Sequence, residues 1–265
     1  MVLNDFHDLK HRFHEYVDSF RDNGGPLHPM LQLKYNHSQR VADEARDIAI
    51  DLGWDKAEIL MAEIIGLFHD VGRFSQYQEF QTYFDPKSVD HACRGFQVLS
   101  RSDWLGGLSH EESQLIFDSV RLHNCHQLPD NLSKDLRRFV NLVRDADKLD
   151  IFFVLNNAIE EEALKKYPGI IWDLPRDIPP SSVILEDLRQ RRQARYENVK
   201  SQADFCVLQL CWIYDLNYAP TIRKVADREI VDRIVRTLPV RDDLEDAIRH
   251  LKQFVQQGET LVRPT

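Results

Sequence analysis

Residues 66–74 read GLFHDVGRF, an apolar run that ends on an imidazole and a carboxylate side by side, His69 and Asp70, followed by Gly72 and Arg73. A carboxylate arriving from the buried side is costly unless something positive meets it, and a buried imidazole needs partners for its ring nitrogens. The same conflict recurs along the chain. His37 lies in the apolar row Met30, Leu33, Val41, Ala45, Ile48, Leu52, whose spacings of three and four residues keep it on one helical face. His91 shares a face with Gly95 and Val98, where the small Gly95 would let another helix come close, and His123 lines up with Ile116 and Val120. Asp147 interrupts the row Leu136, Val140, Val143, Ile151, Val154. Asp145 interrupts a second row with Leu142, Leu149 and Phe152, so periodicity leaves both aspartates in play. Imidazoles and carboxylates on the apolar faces of five helices are the residue types a shared metal ion gathers, and they suit Fe, Mn, Co, Ni or Zn better than Ca or Cu(I).

Helices must carry these residues. Apolar positions recur at helical spacing, no sustained period-two alternation marks a strand, and no internal repeat is present, so the expected fold is all-α. The predicted helices are 4–21, 28–52, 55–70, 88–100, 109–124, 133–164, 181–199, 203–217, 221–237 and 242–257. Asp55, Ser109 and Ser133 are placed to cap three of them, and Gly53 to close the second. Two stretches read as irregular: 74–88, and 167–182 with four of the eleven prolines. Three regions follow: 1–27 as an N-terminal helix packing on a core, 28–166 as the metal-binding core, and 167–265 as a proline-rich loop with additional C-terminal helices.

Composition narrows the function classes. With 265 residues and 43% hydrophobic content the chain can bury a sizeable core. A formal net charge of −9 argues against a general grip on nucleic-acid backbones, so positive charge for an anionic ligand would come from metal or local Arg and Lys. Cys93, Cys125, Cys206 and Cys211 form no CxxC pair and read as reduced thiols. The charged N-terminus and the lack of a long uncharged run lead to the expectation of a cytoplasmic protein without a membrane span, for which a homodimer is the default assembly.

The order His37, then His69 and Asp70 in GLFHDVGR, then Asp147 in RDADKLD resembles the HD-domain metal-dependent phosphohydrolase superfamily over residues 28–155. The resemblance implies an all-helical HD core in which His37, His69, Asp70 and Asp147 bind a metal. The family places its last ligand directly before a basic residue, which favours Asp147 over Asp145. Its two-metal members add two histidines between the HD pair and the last aspartate, with the HD aspartate bridging. His91 and His123 occupy those places, with His126 an alternative to His123. The implied cofactor is one or two divalent ions (Mn, Fe, Co, Ni, Mg or Zn). The implied reaction is hydrolysis of a nucleotide or other small phosphate ester by a metal-held hydroxide, with Asp70, Arg73 and Lys148 catalytic and Arg40, Arg94 and Lys148 near phosphate. Tyr77, Phe80, Tyr83 and Trp172 are candidates to stack on a base, and the basic run 189–200 is a candidate to reach the site. Two other readings share the ligand set: a di-iron oxygenase, and a non-catalytic binding module with a structural metal.

Overall fold

The computed structural model describes residues 3–160, 171, 173–239 and 242–258, and among them the regular structure is helical with no strand, an all-α fold. Contacts divide the chain into two units, Met1–Asp150 and Ile151–Thr265. Among the described residues no helix is long and apolar enough to cross a membrane.

The first unit holds α1 (Leu3–Asp18), α2 (Pro29–Asp51), α3 (Lys56–Phe68), α4 (Gly72–Phe80), α5 (His91–Arg101), α6 (His110–Leu122) and the first part of α7 (Lys134–Glu160). Local chemistry sets several ends. Asp55 and Glu58 form a reciprocal capping box at the start of α3, Ser109 and Glu112 another at α6, and the Ser133 hydroxyl accepts from the Leu136 amide. Gly53 follows α2 with φ +71°. Helix α3 is buried from Met61 to Phe68 because α2 covers one side and α1 and α6 others. The close approach of α2 and α3 depends on Gly66, where a Cβ would stand 3.0 Å from Ala42 Cα and from the Val41 carbonyl. A second close approach is at Gly72, whose Cβ would meet the His91 carbonyl at 2.3 Å and the Gly95 amide nitrogen at 2.4 Å. Away from the histidines, the core closes on Phe13, whose ring contacts Tyr35, Phe68 and Phe74.

The second unit is built round α9 (Gln202–Ile213), buried at every position from Asp204 to Ile213. Around it lie α8 (Ser182–Arg189), α10 (Ala219–Asp227), α11 (Ile230–Arg236) and α12 (Asp242–Gln257). Asp204 is tolerated in this interior because its carboxylate accepts the Ser181 amide at 2.6 Å and the Lys200 amide at 2.9 Å. All four cysteines are free thiols.

Three expected boundaries change. Residues 74–80, read as irregular, belong to α4: Phe74 and Gln76 turn inward, and the polar letters of SQYQEF hid the period, while Gln81 ends the helix in the left-handed region at φ 53°. The helix expected over 181–199 stops at Arg189, and Arg191 takes φ 55°. The helix expected over 221–237 is two, broken where Glu229 adopts φ 51°. Residues 161–164 of the predicted long helix, and residues 167–170 and Trp172 of the proline-rich stretch, lie outside the described residues.

Candidate metal centre

Five helices deliver the six histidine and aspartate side chains to one place. His37 comes from the middle of α2, and His69 is the C-cap of α3 with Asp70 directly after it. His91 opens α5, His123 is the C-cap of α6, and Asp147 lies on α7. Three overlapping donor sets result, each with its ligand atoms within 4.8 Å of one another: His37, His69, Asp70; His69, His123, Asp147; and Asp70, His91, His123. Asp145 and His126 are in none of them. Asp145 is fully buried, whereas His126 is exposed.

Each histidine has its Nδ1 committed. The Nδ1–H of His69 donates to the Gly66 carbonyl at 2.6 Å and that of His123 to the Val120 carbonyl at 2.7 Å. Both are last-turn carbonyls that a helix end leaves without an intrahelical donor. His37 Nδ1 pairs with Asp150 Oδ2 at 2.6 Å, and His91 Nδ1 with Asp85 Oδ2 at 2.6 Å. These bonds fix ring orientation and turn four Nε2 atoms inward. Arg40 forks onto Asp150 at 2.5 and 3.1 Å. Arg73 and Gln76 hold the other oxygen of Asp85 at 2.7 and 2.9 Å. Buried Arg144 donates to the carbonyls of His123 and Cys125, fixing the exit from α6.

The Nε2 atoms then face one another in pairs, His37 with His69 at 3.2 Å and His91 with His123 at 3.1 Å. In the second pair, both Nδ1 atoms donating leaves both Nε2 atoms as lone pairs, so a proton or a metal must lie between them. Asp147 Oδ1 lies 3.1 Å from His37 Nε2 and 3.6 Å from His69 Nε2. Asp70 divides its oxygens. Oδ2 lies 3.4 and 3.6 Å from Nε2 of His37 and His69, and Oδ1 lies 3.5 and 3.8 Å from Nε2 of His91 and His123. Donors that share an ion at ~2.1 Å stand about 3.0–3.4 Å apart in octahedral or tetrahedral arrangements, so these spacings suit metal with little movement.

Charge is balanced internally. Burial would raise the Asp70 carboxyl, but Lys34, His69, Arg73 and His37 hold it well below the ordinary range. Burial opposes ionisation of Asp147 as well, and His37 and His69 overcome it. Burial and Lys34 push His37 down, yet Asp147, Asp150 and Asp70 outweigh them and carry it up to about 10. His123 goes the other way: burial, with His91 and His69 beside it, lowers it to about 3. The pocket thus stabilises positive charge beside the carboxylates on the His37 side and a neutral imidazole at His123.

The basic candidates are spread more widely. Arg40 is bound to Asp150 and Arg73 to Asp85, while Arg94 pairs with Glu79 at 2.8 Å on the outside. Lys148 is buried on α7. Tyr83 is buried against Tyr77, its hydroxyl donating to the Met30 carbonyl, and Phe80 is half-buried. Sequence reading passed over Lys34, Asp85, Asp150 and Arg144. Lys34 and Asp150 carried a signal, each three residues from a ligand on the same helical face. Asp85 and Arg144 carried none.

An all-helical unit thus gathers four imidazoles and two carboxylates into overlapping donor sets that could hold metal. Residues 35–151 match the family model described as HD domain, and the histidine and aspartate cluster is compatible with a metal site of that type. No curated protein and no solved structure matches the chain significantly.

Proposed function

We propose that this protein is a metal-dependent phosphohydrolase acting on a nucleotide or another small phosphorylated metabolite. The observation that carries the reading is Asp70, whose two oxygens face separate donor sets, as a carboxylate shared between two ions would. Bound divalent metal would supply Lewis acidity, which lowers the pKa of a water and neutralises charge developing on phosphoryl oxygens. The chain's own contribution is positioning. His37, His69 and Asp147 with Asp70 Oδ2 would hold one ion, and His91 and His123 with Asp70 Oδ1 the other. Asp150 and Asp85 keep the Nδ1 atoms of His37 and His91 protonated and their Nε2 atoms aimed inward. Lys148, beside Asp147, is a candidate phosphate contact. Among the described residues the donor sets contain no cysteine, and attack by water is the reading that fits the histidines and aspartates present.

Manganese-loaded protein should cleave an aryl phosphate or some member of a nucleotide panel, and Asp70→Ala should abolish the turnover. Fully loaded protein that releases no phosphate across a broad panel would sink the reading. Oxygen uptake by iron-loaded protein in its place would replace it with the oxygenase alternative.

A further inference from the structure

The arginines round the centre and Lys34 differ in what holds them. Arg40, Arg73 and Arg94 are held by Asp150, Asp85 and Glu79, none of which belongs to the donor sets, so metal would leave those pairs intact. Arg73 also brings Nε within 3.4 Å of Asp70 Oδ1, but its Nη1 is anchored by Gln76, the Tyr83 carbonyl and Asp85. Lys34 differs. Its Nζ donates at 2.7 Å to Asp70 Oδ2, the same oxygen that faces His37 and His69. Metal held by His37, His69 and Asp70 would take a lone pair of the oxygen to which Lys34 donates, and would bring like charge next to the ammonium. Lys34 stands one turn before His37 on α2, its ammonium 5.6 Å from the centre of the Tyr83 ring and its side chain 14% exposed. Its ammonium is carried on a stem with several rotatable bonds.

We propose that Lys34 is a two-position cation: it neutralises Asp70 in the metal-free protein and, once metal takes Asp70 Oδ2, contacts an anionic oxygen of the ligand. This rests on the phosphohydrolase reading for the kind of ligand, a phosphate group. Metal loading would then create the anion site as well as the nucleophile's environment, so substrate would not be held productively by empty protein.

Manganese affinity of the metal-free protein, and inorganic phosphate affinity of the manganese-loaded protein, are measured by calorimetry for wild type, Lys34→Met and Lys34→Arg. Lys34→Met should bind manganese about 5-fold or more tightly, because no ammonium must be displaced. Once loaded, it should bind phosphate at least ~10-fold more weakly, the loss of one charged hydrogen bond. Lys34→Arg, which keeps the charge and guards against a folding defect, should hold phosphate within about threefold of wild type. Unchanged or weaker manganese binding in Lys34→Met, or unchanged phosphate binding, overturns the proposal. Aryl phosphate turnover is followed in parallel. Phosphate binding that depends on Lys34 without turnover counts against the hydrolase reading and leaves Lys34's role standing. Turnover with phosphate binding indifferent to Lys34 does the reverse.

Discussion

Asp150 and Asp85 are the side chains through which the rest of the protein sets its candidate ligands. Each accepts a 2.6 Å hydrogen bond from an Nδ1 and is itself held by an arginine. Replacing either with Ala should weaken manganese binding about 10- to 100-fold while the helical circular dichroism stays unchanged. An unaltered affinity would remove their positioning role. His37 adds a pH signature. Metal needs its Nε2 lone pair, and in the metal-free protein this imidazole is carried up to about 10, so loading at pH 8 should expel its proton. Calorimetry in buffers of different ionisation enthalpy should show net proton release and an affinity that rises with pH. The same group works in the opposite sense on metal-free stability. Because its folded pKa lies above the unfolded 6.5, its contribution is full below pH 6.5 and lost as pH rises toward about 10, which denaturant melts of the chelated protein would follow. At this scale the sequence was most readable where a polar residue broke an apolar row, as at His37 and His91, whereas at Asp147 the row alone left Asp145 equally in play. It was mute at Asp85, an acidic residue in an irregular stretch, whose importance comes only from the fold bringing it to His91.

Helices convert spacing into convergence by ending at the right place, and the approach of α4 to α5 shows how little room they leave. A Cβ on Gly72 would stand 2.3 and 2.4 Å from backbone atoms of His91 and Gly95, which cannot swing aside as a side chain can. Gly72→Ala should cost at least ~3 kcal/mol in denaturant melts, and the surviving folded protein should lose metal affinity because His91 moves with the start of α5. A neutral result would mean that the α4–α5 contact does not set the site. Most elements were legible because their caps were local. Asp55 with Glu58 and Ser109 with Glu112 announce α3 and α6 within four residues. Helix α4 was not, because its inward face carries Gln76, buried to bridge Asp85, Ser88 and the Val89 carbonyl, a polar burial that hydrophobic periodicity cannot register. The breaks at Arg191 and Glu229 were equally hidden, since both residues adopt a backbone conformation their side chains do not advertise.

Across the whole molecule, the six candidate ligands and the carboxylates behind them all fall within Met1–Asp150, and the HD match ends at residue 151. The second unit carries none of the donor sets among its described residues, and its sequence offered no motif to read. Metal should stabilise the native state by mass action. At a free concentration of 100 times the Kd the gain is about 2.7 kcal/mol, worth an increase of about 5–10 °C in Tm for a chain of this size. The chelated protein should keep its helical spectrum, because hydrogen bonds to Gly66, Val120, Asp85 and Asp150 hold the four imidazoles without an ion. Collapse of the helical signal on chelation would instead make the metal structural. On the proposed reading Asp70 would join two metal positions, and elemental analysis of metal per chain after manganese reconstitution reads that number out. On that reading about two ions are expected in wild type and about one when His91 and His123 are both replaced by Ala. A wild-type content of one ion or fewer at saturating manganese, or no difference between the two proteins, would contradict it.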